Sequence, residues 1–309
     1  MGVPAVSDRI AQAVVKRELE IMLEPVFHED SFGYRPRRSV ADAVGKARVR
    51  CWRYDWVLDM DIKSFFEDIS HELLMKAVRK HTDCKWHLLY IERWLKAPVQ
   101  QSDGSLTEKI KGTPQGSVIS PILANLFLHY CFDEWMRRNI PNCPFERYAD
   151  DCVVHCKTEK QASWVKWQLE ERLQQCGLTL HPVKTKIVDC RTGKASKDSE
   201  HQEFDFLGHT FRKRGAKNKK GEFFTNYLPA VSKKSIKAIQ KKLTACKSLA
   251  KTNGILRDIA KELNPKIRGW FNSYGKFYVS ELKRQLQCIN RRLVLWARRK
   301  FKRFKRSKG

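Results

Sequence analysis

The sequence predicts an α+β domain over residues 1–229 followed by an all-helical domain over 230–309. Three observations carry this expectation: apolar residues at period two in short runs among helical segments, a change to purely helical periodicity after Ser232, and a charge step at the same place. The 309 residues hold 61 Lys plus Arg against 34 Asp plus Glu, a formal net charge of +27, and 42% are hydrophobic. From Val231 to Gly309 there are 24 basic residues against Asp258, Glu262 and Glu281, so most of the excess sits in the last quarter. Such an end is built to meet a polyanion, because Lys and Arg that neutralise phosphates release condensed counterions. A solvated tail or an acidic-membrane patch is the alternative reading.

The elements follow in order. Asp8 to Glu24 reads as a helix with Ser7 as N-cap and Pro25 beyond its end, and Val40 to Arg50 as a second. Trp56-Val57-Leu58-Asp59-Met60-Asp61-Ile62 alternates as a half-buried strand ending in carboxylates. Helices are expected near Glu72 to Lys80 and Trp86 to Lys96. Gly112-Thr113-Pro114-Gln115-Gly116-Ser117 is a glycine-rich loop before an apolar helix, Ser120 to Met136. Phe145 to Cys156 reads as two short strands joined at Ala149-Asp150-Asp151, and Thr158 with Gln161 forms a capping box for a helix that Gly177 closes. Lys186 to Asp189 and Phe204 to Phe211 are strand-like. Beyond a boundary near Pro229, Ile236, Ile239, Leu243 and Cys246 make one helical stripe, and Leu282, Leu286, Ile289 and Leu293 another.

Several classes are excluded. No run of about 18 apolar residues occurs, which argues against a membrane-spanning helix. The start carries no signal-peptide pattern, so a soluble, cytoplasmic chain without a membrane partner is expected. Ten cysteines without a C-x-x-C pair suggest reduced thiols rather than a zinc ribbon, and Cys152, His155 and Cys156 alternate faces on a strand, unsuited to one metal.

Carboxylates converging from separate segments can hold two divalent cations for phosphoryl or nucleotidyl transfer. Asp61 and the pair Asp150-Asp151 are the candidates, although Asp-Asp alone reads equally as turn chemistry. Their surroundings favour the first reading. Tyr148-Ala149-Asp150-Asp151, preceded by the Gly-Thr-Pro-Gln-Gly loop and by Asp61-Ile-Lys-Ser-Phe-Phe66, resembles the reverse transcriptases of the group II intron maturase type. Gly2-Val3-Pro4, Phe32-Gly-Tyr-Arg-Pro36, Gly177 to Lys184, and Phe206-Leu-Gly208 are similar to further blocks, and Asn264-Pro265-x-x-Arg268-Gly269-Trp270 to the thumb or X domain.

That resemblance implies a right-hand polymerase: partial fingers and a palm with an antiparallel sheet, then an all-α thumb. It implies an RNA-directed DNA polymerase with maturase activity. Its partners would be group II intron RNA, an RNA template, a DNA primer and dNTPs. Asp61, Asp150 and Asp151 would hold two Mg²⁺, with Mn²⁺ a possible substitute and the Ile62 carbonyl an added ligand. Asp59, two residues earlier on the same face, is a decoy. Phe66 resembles the aromatic that rejects a 2′-hydroxyl, while Phe65 fits a core role better. Gln115 would line the nucleotide groove or fix its own loop, and Ala149 would lie under the primer terminus. Lys184 would meet phosphate or form a surface ion pair, and Arg35, Arg37 and Arg38 would contact phosphate or remain solvated. Arg268, Trp270, Tyr274, Arg298, Arg299 and Lys300 would hold RNA, with Trp270 equally a core anchor.

The departures are Glu67 where an Asp is usual and Ser117 where a Gly is usual. A first fingers block and a C-terminal endonuclease module are not found, which implies a truncated chain. The competing expectation is therefore an inactive copy that serves as an RNA-binding splicing factor. A retron-type enzyme is disfavoured by the Asn264 to Trp270 block.

Overall fold

The computed structural model describes residues 4–101, 103–114, 116–193, 200–218, 220–250 and 254–304. The chain divides into two compact units, residues 1–201 and 202–309.

In the first unit, helices α1 (Val6–Leu23) and α2 (Val40–Arg50) precede strand β1 (Trp56–Met60). Helices α3 (Phe65–Asp68), α4 (His71–Arg79) and α5 (Lys85–Lys96) come next, then a small ribbon of β2 (Val99–Gln100) and β3 (Leu106–Thr107). Helix α6 (Ser120–Leu128) continues through a π-helical stretch (His129–Asp133) into α7 (Glu134–Asn139). The hairpin β4 (Phe145–Tyr148) and β5 (Asp151–Cys156), helix α8 (Glu159–Gln175) and strand β6 (Lys186–Asp189) complete the unit. Its sheet is antiparallel in the order β4-β5-β1-β6. Leu58, Val154 and Phe145 meet Leu126, Phe127 and Phe132 from the long apolar helix, and Val165 and Leu169 from α8, in one core. Thr158 caps α8 as the sequence predicts, accepting from the Gln161 amide at 3.1 Å.

The expected uninterrupted helix from Ser120 to Met136 is instead split by the π-helical turn. There the buried Asp133 carboxylate is held by Arg147, a tertiary ion pair that periodicity does not report.

The second unit opens with a three-stranded antiparallel sheet, β7 (Glu203–Phe206), β8 (His209–Lys217) and β9 (Phe223–Val231). Helices α9 (Lys233–Thr244), α10 (Lys247–Ala250), α11 (Leu256–Tyr274) and α12 (Val279–Lys300) follow. The sheet corrects one expectation: the strand-like run Phe204 to Phe211 is broken by a turn at Leu207 and Gly208, both at positive φ. Pro229, near which the sequence places the domain boundary, sits inside β9 opposite Phe211. Pro229 is tolerated because β9 is an edge strand, where a missing amide hydrogen breaks no second ladder. The stripes on α9 and α12 do face inward: Ile239, Leu243, Leu282, Leu286 and Ile289 pack with Trp270 and Trp296.

Candidate functional site

The acidic site is set by strand register. Met60 of β1 pairs with Cys152 of β5, so Asp61 and Asp151 occupy the next position beyond the last paired residues. Tyr148 pairs with Asp151 across the hairpin, which leaves Ala149 and Asp150 as a two-residue turn. Such tight turns require positive φ at the first central residue, and Ala149 has φ 58°. For an L-residue this conformation costs about 1–2 kcal/mol. Its surroundings impose it: the Ala149 carbonyl accepts from Arg147 Nη1 at 3.0 Å, and the backbone of Gly33 packs over the turn. A Cβ on Gly33 would stand 2.9 Å from the Tyr148 carbonyl carbon and closer still to the Ala149 nitrogen.

Arg147 anchors the hairpin from below. It is 1% exposed and reaches Asp133 through Nε at 2.7 Å and Nη2 at 2.6 Å, Asn125 Oδ1 at 3.1 Å, and Ser31 Oγ at 2.8 Å. Asn125 in turn donates to the Gly33 carbonyl at 2.6 Å. None of this is signalled by sequence spacing, since the partners lie up to 116 residues apart.

Asp61 is fixed from the other side by the segment after α8. Its carbonyl accepts from the His181 amide at 2.8 Å, Lys63 donates to the Thr179 carbonyl at 2.9 Å, and Lys184 Nζ lies 3.1 Å from Asp61 Oδ2. These bridge bonds use Asp61 and Lys63, so the Ile62 carbonyl takes no part in them. The Asp150 carboxyl is pushed above its ordinary range by burial and by the charge of Asp61, against the lowering effect of Arg147 and Lys184. Tyr34, 48% exposed and at φ 57°, has its phenol raised by its partial burial and by Asp150, Tyr148 and Asp151. Sequence reading missed Tyr34 as a neighbour of the acids; Asn125, Asp133, Arg147 and Gln12 were missed likewise.

Phe65 is buried and Phe66 half-buried, edge-on to it at 5.1 Å. The Phe66 carbonyl accepts from the Thr113 amide at 2.7 Å. Gly112, at φ 84°, passes so close that an added Cβ would lie 2.6 Å from the Glu67 oxygen. The glycine-rich loop is thereby pinned against the residues just after Asp61. Its other end is held by the buried Gln12, whose Oε1 accepts from Ser117 Oγ at 2.8 Å and the Val118 amide at 3.0 Å. Gln115 lies outside the described residues, as do Gly2 and Val3.

Two expectations need correction. Arg35 is buried, with Nε and Nη2 on the Glu24 carboxylate and Nη1 on the carbonyls of His28 at 2.6 Å and Ser31 at 2.8 Å. With its donors committed inside the fold, it organises the chain before Gly33 rather than meeting phosphate. Trp270 is buried in the helical core of the second unit, so it packs rather than presents a face to RNA. Arg268 is exposed, Tyr274 is half-buried 5.4 Å from the His209 ring, and Arg298 is half-buried. Arg299 donates to the Leu249 carbonyl at 2.8 Å, and Lys300 to that of Gly254. His155 Nε2 pairs with Glu146 Oε2 at 2.7 Å inside the sheet.

Among the described residues, no three His, Cys, Asp or Glu side chains stand as a ready metal cluster. The donors at the hairpin are all carboxylate oxygens, the set a hard cation prefers. The raised proton affinity of Asp150 and the Lys184 ammonium on Asp61 both mark negative charge that calls for a positive partner.

The family model for reverse transcriptase (RNA-dependent DNA polymerase) matches residues 1–211, spanning the strand ends, the glycine-rich loop and the hairpin. The chain belongs to the reverse transcriptase family. Residues 236–309 match the group II intron, maturase-specific domain, which makes this a reverse transcriptase of the group II intron maturase type. Protein YkfC of Escherichia coli is 31% identical over 246 residues, 68% of this chain and 62% of YkfC. The group II intron-encoded protein LtrA of Lactococcus lactis is 35% identical over 130 residues, 42% of this chain and 21% of LtrA. The chain thus spans less than two thirds of these relatives. Among solved structures, telomerase from Candida albicans with a fragment of telomeric RNA aligns with a TM-score of 0.53 at 13% identity, over 93% of this chain and 51% of that one. Apo telomerase from Candida tropicalis gives 0.51 at 14% identity, over 66% and 39%. At these identities the likeness is one of fold, the right-hand polymerase. No helix among the described residues is long and apolar enough to cross a membrane.

Proposed function

We propose that this reverse transcriptase extends a DNA primer on an RNA template by nucleotidyl transfer and binds group II intron RNA to assist splicing. The observation that carries this reading is the register of β1 and β5, which sets Asp61 beside the Asp150-Asp151 turn. Asp61, Asp150 and Asp151 would hold Mg²⁺, two ions in all, with Mn²⁺ as a substitute and the Ile62 carbonyl as an added donor. Bound there, Mg²⁺ would lower the pKa of a primer 3′-hydroxyl and stabilise the leaving pyrophosphate. Ala149, small and held in its turn, lets a primer end approach the acids. The half-exposed ring of Phe66 would refuse a ribose 2′-hydroxyl, and the exposed Lys184 would offer its ammonium to a triphosphate. On the second unit, exposed Arg268, the basic end of α12 from Arg298 to Lys300, and Tyr274 at the end of α11 would contact intron RNA.

The test is Mg²⁺-dependent dNTP incorporation on poly(rA)/oligo(dT) by the chain and by Asp150→Ala with Asp151→Ala. The expected loss in the double variant is about a thousandfold, on the order of 4 kcal/mol. Incorporation that survives in the double variant defeats the metal assignment. No incorporation by the chain itself, with tight RNA binding retained, leaves splicing as its role.

A further inference from the structure

Six of the ten cysteines stand as three neighbouring thiol pairs in the first unit: Cys51 with Cys190, Cys143 with Cys156, and Cys131 with Cys176. The sulfurs of Cys143 and Cys156 are 3.9 Å apart beneath the sheet, where both side chains belong to the packed core. Cys131 and Cys176 belong to the same core, each 4% exposed, but both also line a cleft of about 320 Å³ between α4, α8 and the π-helical stretch.

Local structure places the two sulfurs. Cys131 lies in the π-helical turn, and Cys176 follows α8 just before Gly177, whose φ of 76° ends the helix. Arg172, one turn earlier on α8, donates through Nε to the Cys131 carbonyl at 3.1 Å and through Nη2 to the Tyr130 carbonyl at 3.2 Å. Its cation is thus fixed beside both thiols. Lys76 and Lys80 line the same cleft, Lys80 with its ammonium 4.7 Å from the Tyr130 ring centre. The Cys131 thiol donates to the Cys176 sulfur, and that bond, with Arg172, brings the Cys176 thiol down to about 7 despite burial. The same bond and burial push Cys131 up. A thiolate with a protonated partner thiol beside it, reachable through a cationic cleft, is the arrangement of a reactive cysteine with its resolving cysteine.

We infer that Cys176 and Cys131 form a redox modification site that a small hydroperoxide converts to a disulfide. The Cys176 thiolate attacks the terminal peroxide oxygen, the O–O bond breaks, and the alkoxide, or hydroxide in the case of hydrogen peroxide, leaves, giving a sulfenic acid. Cys131 then attacks the Cys176 sulfur, the S–S bond forms, the S–O bond breaks, and the hydroxyl departs as water with the Cys131 proton. Two electrons pass from the thiol pair to the peroxide. The product ties the end of α8 to the turn that carries Asp133, the carboxylate holding Arg147 under the Ala149-Asp150 hairpin.

The full reduced chain is treated with graded hydrogen peroxide, quenched with N-ethylmaleimide, digested and mapped by mass. The expected result is a Cys131–Cys176 disulfide at lower peroxide than any disulfide at Cys143–Cys156 or Cys51–Cys190, reversed by dithiothreitol. In Cys131→Ser, Cys176 is expected to accumulate as a dimedone-reactive sulfenic acid. The inference is overturned if Cys131 and Cys176 stay maleimide-reactive while another pair oxidises first, a readout that needs no variant to fold. A dimedone adduct on Cys131 in place of Cys176 overturns the assignment of roles.

Discussion

Asp150 carries the tension on which the site depends. Burial and the neighbouring Asp61 raise its proton affinity, while Arg147 and Lys184 oppose them. The Lys184 ion pair with Asp61 is largely exposed and worth about 0–1 kcal/mol, so it supplies local charge rather than stability. Phe66 is the residue whose role is most open to a single substitution. It contributes its carbonyl to the loop and its half-buried ring to the surface after Asp61, and the carbonyl is unaffected by truncating the side chain. For Phe66→Ala the expected outcome is about tenfold greater use of rNTPs relative to dNTPs, roughly 1.4 kcal/mol of lost discrimination, measured by competitive incorporation. Unchanged sugar selectivity would return Phe66 to a packing role beside Phe65.

At the scale of elements, the β4-β5 hairpin depends on what lies on it. Gly33 is required by close approach: its carbonyl accepts from Asn125, and a methyl group there would overlap the Tyr148-Ala149 backbone. Gly33→Ala is expected to lower stability by about 1–3 kcal/mol and to lower incorporation further than the unfolded fraction explains, read from urea unfolding and kcat together. A variant of wild-type stability and rate would show that the turn does not rest on this contact. The hairpin, α2 and the cap of α8 were legible in the sequence because each is specified by neighbours within a few residues. The β8-β9 ribbon was not. Its strands run through Lys213, Arg214, Lys217 and Asn226 with weak alternation, and the pairing is set by a turn in which Asn218 Oδ1 accepts from the Lys220 and Glu222 amides at 2.9 Å. Arg147 was equally illegible, since an arginine beside Tyr148 reads as a surface cation until Ser31, Asn125 and Asp133 are brought around it. Arg35 fails for the same reason, its partners, the Glu24 carboxylate and the His28 carbonyl, lying before a turn that looked merely basic.

Over the whole molecule, charge and acid site are divided between regions of the chain. The carboxylates lie in the first unit, and residues 231–309 carry 24 of the 61 basic residues. Part of that charge is used internally, as Arg292, Arg299 and Lys300 donate to backbone carbonyls, but exposed Arg268, Arg291 and Lys283 remain on the surface. Binding to group II intron RNA is therefore expected to weaken with salt, with a slope of log affinity against log salt of about −4 or steeper, measured by filter binding. A slope near zero would remove the polyanion role of the helical unit.

The central claim is that Asp61, 89 residues before Asp150, shares cations with it. Mn²⁺ titration followed by electron paramagnetic resonance, on the chain, Asp61→Asn and Asp150→Asn, tests this directly. Each single substitution is expected to weaken Mn²⁺ binding at least about tenfold, because each removes a carboxylate from one shared site. If Asp61→Asn binds Mn²⁺ as the unaltered chain does while Asp150→Asn fails, the two segments do not share a metal and the account is contradicted.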